Sequence, residues 1–550
     1  MHFIHKKTVA SLVSTIFIST MMATGCLNRS SAQENTGNAI PSCYIQASPG
    51  QRVAIISVMT VMGISNNHDN PKWSHLNNNT KPSEDLGILS IHDPIYLNLW
   101  DKPKEAAELD VKLIKEAGFD CLSIWSMGGE FHRTVGLKTS IPYFDAARKF
   151  GMKICPDFWL MADYDKDSKG NSSDSWGNLG FLLGYLKQNY DDIWLKDDAG
   201  RRMVFFVGDT QAYSYPKAMD YSKAMDKLCS KVPRSEICLV SLTTNGKNIR
   251  PGWCLPDATL NDNDVAWFNG SDLFFSFCGA SWFQAQEQFQ RTETNLSASN
   301  RRFIPSALNS FAQSRDEKLT YGKKSIHESL GFMRLSCIWR KAIEVRSKYV
   351  YIATWNDQTE DHEIMPESNH GWAFWELTRY YSQWYHTDKE PKVEKEKILL
   401  FHHPQPAAGV KLPEGRLPML DHRFAKDPDV KTTPPTDYVG VVAFLKQPAT
   451  LSVQFGIDVI AKRDFPAGMH SWLIYNPRKE VIDKKWTEAY PKDSDWLSVT
   501  MVEKPFLDTQ VYMNVYRGND RIGMFRSHRP IVEAAGRSDM TTIGDVFELQ

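Results

Sequence analysis

KEAAELDVKLIKEAGFDCLSIW, Lys104 to Trp125, contains the repeating unit of this chain in its shortest form. Leu109, Leu113, Ile114 and Ala117 recur at helical spacing, so the first part reads as an amphipathic helix. Gly118 ends it, because glycine accepts the left-handed turn that closes a helix. FDCLSIW then returns as a short apolar run, a strand with both faces buried. The same order recurs in YFDAARKFG (143–151), stopped by Gly151, followed by MKICPDFWL (152–160).

Working outward, further strand-like runs are PIYLNLW (94–100), MVFFVG (203–208), EICLVSL (236–242), DLFFSF (272–277), RFIPSAL (302–308) and YVYIATW (349–355). Ser325 and Glu328 stand at capping-box spacing before the helix that precedes the last run. Eight apolar strands, most separated by a helix, predict a (β/α)8 barrel, a fold of ~250 residues that takes insertions. A doubly wound open sheet is the competitor, and no glycine-rich phosphate loop follows an early strand to support it.

Beyond KVEKEKILLFHHPQP the pattern changes to period two. In DYVGVVAFLKQPATLSVQFG (437–456), Leu451, Val453 and Phe455 point one way, Ser452 and Gln454 the other. GMHSWLIYN and TQVYMNVYRG behave alike, which predicts an all-β sandwich. The expected layout is a signal peptide over 1–25, a flexible tether over 26–52, the barrel over 53–393, the sandwich over 394–526 and a tail over 527–550. His5, Lys6 and Lys7 precede the apolar TVASLVSTIFISTMMA, and MMATGC resembles a lipoprotein signal with Cys26 as the lipidated residue. Export to a bacterial cell envelope through a lipid anchor is the expectation; plain secretion is the alternative.

Charge and cysteines exclude more than they assign. With 64 basic and 65 acidic side chains the net charge is −1, which offers nothing to nucleic acid or to an anionic membrane. No cysteine pair has a metal-ligand spacing, and neither a metal nor a cofactor is expected. Cys121, Cys155 and Cys278 read as buried thiols, whereas Cys229 could pair with Cys238 or Cys254 after export. No G-x-S-x-G elbow and no HExxH occurs, which sets aside esterases and zinc peptidases.

The chemistry concentrates in ATWNDQTEDHEIMPESNHGWAFWELTRYYSQWYH, Ala353 to His386. Asp357, Glu360, Asp361 and Glu363 directly follow the last apolar run, at the barrel rim where active sites lie. Paired carboxylates there suit glycoside hydrolysis, which needs an acid and a base. Asp361, Glu363 and Glu367 also fit a solvated acidic loop capping the next helix; Asp357 fits that less well. On that helix Phe374, Leu377, Tyr381 and Trp384 are expected to face the barrel.

Other rim positions are candidate substrate contacts: Asp157 at the end of the third strand, Asp209 after the fourth, Glu130 and His132 in SMGGEFHRT, and Asn309 and Asn356. Trp125, Trp159, Trp282 and Trp355 could stack on sugar rings, with core packing an equal alternative. The seventh run leads into SALNSF, with Asn309 and no acid, against the retaining arrangement with an acid after that strand.

TWNDQTEDHEI (354–364) resembles a segment of glycoside hydrolase family 71, the α-1,3-glucanases, which reads T-W-N-D-[FY]-G-E-S-H-Y-I. KEAAELDVKLIKEAGFDCLSIW, NRRFIPSALNSFA and DYVGVVAFLKQPATLSV extend the resemblance over about residues 94–475, with Trp-Asn-Asp-x-x-Glu its specific core. It implies a (β/α)8 barrel and an inverting hydrolysis of α-1,3-glucan in which Asp357 and Glu360 are the catalytic pair. Glu360 is then assigned as general acid and Asp357 as general base. The chain departs from the family at Gln358, Thr359 and Glu363, and lacks a histidine in IYLNLW. A family 99-like α-mannan substrate, or a glycan-binding lipoprotein without turnover, are the alternatives.

Overall fold

The structure is a computed structural model and describes residues 40–60, 99, 102–127, 137–159, 174–207, 221–242, 262–276, 292–308, 328–357, 361–407, 436–476, 491–532 and 541–549. Eight strands form one parallel sheet: β1 (Val53–Val58), β2 (Cys121–Met127), β3 (Lys153–Trp159), β4 (Arg202–Val207), β5 (Ile237–Leu242), β6 (Leu273–Phe275), β7 (Ser306–Leu308) and β8 (Tyr349–Ala353). Their order is β6-β5-β4-β3-β2-β1-β8-β7. The ring closes just ahead of β7: Phe274 bridges Phe303, and Phe274 N–H donates to the Arg302 carbonyl at 2.9 Å. This is the expected (β/α)8 barrel.

Helices α1 (Pro103–Glu116), α2 (Leu137–Phe150), α3 (Ser175–Asn189), α4 (Tyr221–Leu228), α5 (Asp262–Gly270), α6 (Met333–Glu344) and α7 (Ala373–Thr387) lie in the connections and after β8. Outward strand residues such as Leu122, Ile124, Val204 and Phe206 pack on them in one core. Inward residues form a second core that fills the barrel, with Ile55, Cys121, Cys155, Phe205, Val240, Phe275 and Tyr351 among its members. Gly118 and Gly151 end their helices at φ +92° and +68°, as expected. On α7, Phe374, Leu377 and Tyr381 are fully buried and Trp384 packs partly on the same core.

Four expectations need correction. The first strand is Val53–Val58, paired in parallel with β2 and β8, and not residues 94–100, of which only Leu99 is described. A six-residue apolar run with no helical pattern close behind it carries no βα signature in the sequence. The stretch 26–52 is not tether throughout: Cys43 is fully buried, Tyr44 bridges Phe303, and Lys348 N–H donates to the Ile45 carbonyl. Glu328 caps no helix; it lies buried, accepting from Leu330 N–H, and α6 starts at Met333. The pairing of Cys229 with Cys238, left open by the sequence, is not made: both are free thiols.

The fourth correction concerns the end of the chain. The sandwich consists of β9 (Lys397–His402), β10 (Asp437–Leu445), β11 (Ala449–Phe455), β12 (Asp458–Phe465), β13 (Gly468–Asn476), β14 (Leu497–Met501), β15 (Val511–Arg517), β16 (Asp520–Arg526) and β17 (Ile543–Glu548). One sheet has the order β14-β13-β10-β9-β17 and the other β12-β11-β15-β16. The supposed tail thus supplies β17, antiparallel to β9. Leu451, Val453, Val511, Met513 and Val515 meet Ile398, Val441 and Trp472 between the sheets. The other face of the five-stranded sheet, through Leu399, Phe401, Tyr438 and Phe444, joins the core beneath α6 and α7. β10 is consequently buried along its whole length.

Candidate active site

The loop after β8 is built back onto the barrel. Trp355 N–H donates to the Ser57 carbonyl on β1 at 2.7 Å, and Thr354 N–H to the His362 carbonyl at 2.9 Å. Asn356 spends its amide on the backbone at the end of β1: Oδ1 accepts from Met59 N–H at 2.9 Å and Nδ2 donates to the Met59 carbonyl at 3.1 Å. Between these anchors Asp357 is 2% exposed. Its N–H donates to Thr354 Oγ1, and its Oδ2 lies 2.9 Å from His362 Nε2. The two anchors fix the backbone on either side of the carboxylate, which is what positions it.

Behind Asp357 lies a second group of acids, contrary to the solvated-loop expectation. Asp361, Glu363 and Glu367 are all buried, as are His362 and His370. Asp361 accepts from Thr542 N–H, and Asn369 bonds Thr541 Oγ1 and Arg529, so the segment before β17 holds this loop. Glu367 caps its own turn by accepting from the N–H groups of Asn369 and His370. Ligand atoms of Glu363, Glu367 and His370 lie within 4.8 Å of one another. Two carboxylates and an imidazole suit a hard or borderline divalent cation, and suit a protonated His370 as well.

The barrel interior places a third acid. Asp157 on β3 is fully buried; Tyr351 hydroxyl donates to its Oδ2 at 2.5 Å and Ser123 hydroxyl at 3.2 Å. Its Oδ1 has no hydrogen-bond partner among the described residues. Burial pushes this carboxyl from 3.8 up to about 6, and the two donated hydrogen bonds pull it back only in part. Trp125, in register with Asp157 on β2, is buried beside it.

Of the residues expected at the site, Asp357, Asn356, Trp355, Trp125 and Asp157 gather at the rim or inner wall around β8, β1, β2 and β3. Two have a different use from the one expected. Trp355 is fully buried and its Nε1 donates to Asp110 on α1 at 2.8 Å, so it offers no face to a sugar. Asn356 clamps the loop to Met59. Trp159 ends β3, but its side chain, like Glu360, Glu130, His132, Asp209, Trp282, Asn309 and Cys26, lies outside the described residues.

Sequence reasoning missed Ser123, Tyr351 and His362. The first two share the inward register of Cys121 and Tyr349, so period-two alternation could have marked them. His362 follows Asp357 closely, yet its contact depends on a loop doubling back, which spacing does not reveal.

No protein-family model matches the chain, and no curated protein sequence matches it. Among solved structures it overlaps the GH99 endo-alpha-mannosidase from Bacteroides thetaiotaomicron at 15% identity and a TM-score of 0.42, covering 62% of this chain and 100% of that one. It also overlaps a Family 1 β-glucosidase from Thermotoga maritima at 8% identity and a TM-score of 0.35, covering 63% and 100%. A GH113 β-mannanase from Alicyclobacillus acidocaldarius overlaps at 10% identity and a TM-score of 0.30, covering 50% and 91%. Overlaps this loose say nothing about reaction or substrate.

Proposed function

We propose that the protein is a glycoside hydrolase acting on an α-linked polysaccharide, with α-1,3-glucan the first substrate to try. The observation that carries the reading is Asp357. It is a carboxylate directly after the last barrel strand, anchored on both sides and buried, in a segment that resembles the catalytic segment of family 71. In this reading Asp357 is the general base that activates water and Glu360 the general acid that protonates the leaving oxygen, with inversion at the anomeric carbon. His362 orients Asp357 through its Oδ2. Export with a lipid anchor at Cys26 belongs to the same proposal; a Cys26→Ser variant should be released in soluble form.

Asp357→Asn and Glu360→Gln should each lower turnover by roughly 10²–10⁴-fold while folding is retained. Substrates with activated leaving groups should partly rescue Glu360→Gln alone, since only the acid assists departure. Proton NMR of the first-formed anomer reads the stereochemistry. Near-normal turnover by Asp357→Asn would end this assignment and shift attention to Asp157. A glycan-binding protein without turnover is the second reading, and the departures from the family at Gln358 and Thr359, between the two carboxylates, favour it. Absence of released reducing ends from a panel of α-glucans and α-mannans, with binding retained, would establish it.

A further inference from the structure

We infer that the outer face of the four-stranded sheet is a second, non-catalytic binding surface for a neutral carbohydrate chain. The alternation that turns Leu451, Val453, Met513 and Val515 into the core turns Ser452, Gln454, Tyr512, Asn514 and Tyr516 outward. Strand register then aligns Lys462, Ser452, Asn514 and Met524 in one row across β12, β11, β15 and β16. Tyr512 and Tyr516 flank that row on β15, four residues apart and so roughly 13 Å along the strand. Both tyrosines are half-buried.

The floor of this face is polar and unsatisfied. Asn514 is 0% exposed and Ser452 1%, and neither the Asn514 amide nor the Ser452 hydroxyl has a hydrogen-bond partner among the described residues. A buried side-chain amide without partners costs free energy, and a ligand that both donates and accepts would relieve that cost. The two row neighbours on either side are long and unbranched: Lys462 reaches diagonally across β11 to within 5.4 Å of the Tyr516 ring centre, and Met524 is about half exposed. Swinging these two side chains aside opens the floor between two aromatic rings.

The chemistry selects the ligand. Adjacent sugar hydroxyls both donate and accept, which meets the two empty halves of Asn514; an anion or a hydrocarbon meets one half or neither. The apolar C–H face of a pyranose ring packs on a tyrosine face, and Tyr is suited to a contact that is apolar on one side and wet on the other. A peptide strand would add to a sheet edge, not lie on its face. This surface is independent of whether the barrel cleaves glycans.

Affinity electrophoresis of the full chain in gels cast with soluble dextran, starch or α-mannan tests the proposal. Retardation by at least one of the three is expected, weakened on the order of fivefold by Tyr512→Ala or Tyr516→Ala. Turnover of a short oligosaccharide, where the barrel has it, should stay unchanged in both variants, so that a failed hydrolase reading is told apart from a failed surface. Asn514→Ala should abolish retardation and leave the melting temperature equal or higher, because it removes an unsatisfied buried amide. No retardation in any gel, retardation unaffected by both tyrosine variants, or a lower melting temperature for Asn514→Ala would each overturn the assignment. So would a concentration-dependent sedimentation shift lost in the tyrosine variants, which would give the face to a second copy of the chain.

Discussion

At Asp157 the cost of burial becomes a pH dependence. Below pH 3.8 its carboxyl is protonated in the folded and unfolded chain alike. Between 3.8 and about 6 the unfolded chain releases a proton that the folded chain keeps, so stability falls as pH rises. Above about 6 the loss is complete, ~3 kcal/mol for a shift of about two pH units. Asp157→Asn should therefore flatten thermal stability between pH 4 and 6 and raise the melting temperature at pH 7.5. A lower melting temperature at pH 7.5 would mean that the ionised carboxylate holds a stabilising partner. Asn356 predicts the opposite sign. Asn356→Ala strands the Met59 N–H and carbonyl in a buried place and should cost about 1–3 kcal/mol by urea titration. Turnover should fall with it, since the loop carrying Asp357 loses its anchor.

Among the elements, the crossing of α1 and α7 shows how closely a single position can be constrained. Gly118 follows α1 at φ +92°, and a Cβ there would lie 2.1 Å from Ser382 Oγ on α7. That hydroxyl donates to the Ala117 carbonyl at 2.6 Å. Gly118→Ala should destabilise by more than ~1 kcal/mol, since it adds a collision to backbone strain. Ser382→Ala in the same chain should recover only the hydroxyl's share, read as a partial return of the urea midpoint, because the Ser382 Cβ would still lie 2.7 Å from the added one. The sequence carried the glycine because helix periodicity stops there; it carried seven barrel strands because each run abuts a helix. It could not carry β1 or β17, whose partners β2, β8 and β9 are far off in the chain and whose own patterns are short. The same limit applies at the site. Asp357 was legible from its place after an apolar run, whereas the burial of Asp361, Glu363 and Glu367 comes from strand β17 and its neighbours folding over them.

On the scale of the whole molecule, one buried pair ties the barrel to the sandwich. Glu328 ahead of α6 lies 3.1 Å from His403 Nε2, and its Oε2 also accepts from Thr436 N–H before β10. His403 and the donated backbone hydrogen bonds hold the glutamate below its ordinary value against the opposing effect of burial. Burial alone would lower His403, but the Glu328 charge and hydrogen bond raise it above its ordinary value. The glutamate's contribution is complete above its unfolded value of 4.5 and is lost as pH falls through its lowered one. The histidine's is complete below 6.5 and is lost as pH rises through its raised one. Both are whole between pH 4.5 and 6.5. Removing one partner leaves the other buried and uncompensated, so His403→Ala should cost about 3–5 kcal/mol, and calorimetry of the full chain measures it.

The place of β17 also sets an order of events during synthesis. Thr541 and Thr542, which hold Asn369 and Asp361, are made more than a hundred residues after the loop they hold. By then the barrel strands and eight sandwich strands have been made, and the acidic loop waits for its cover. A messenger cut ahead of Thr541 would yield a chain that has the barrel strands and eight sandwich strands and lacks the strand laid against β9. Asp361 and Asn369 would then lack the partners that Thr542 and Thr541 give them, and the synthesis of this one strand would itself be the step that fastens the loop.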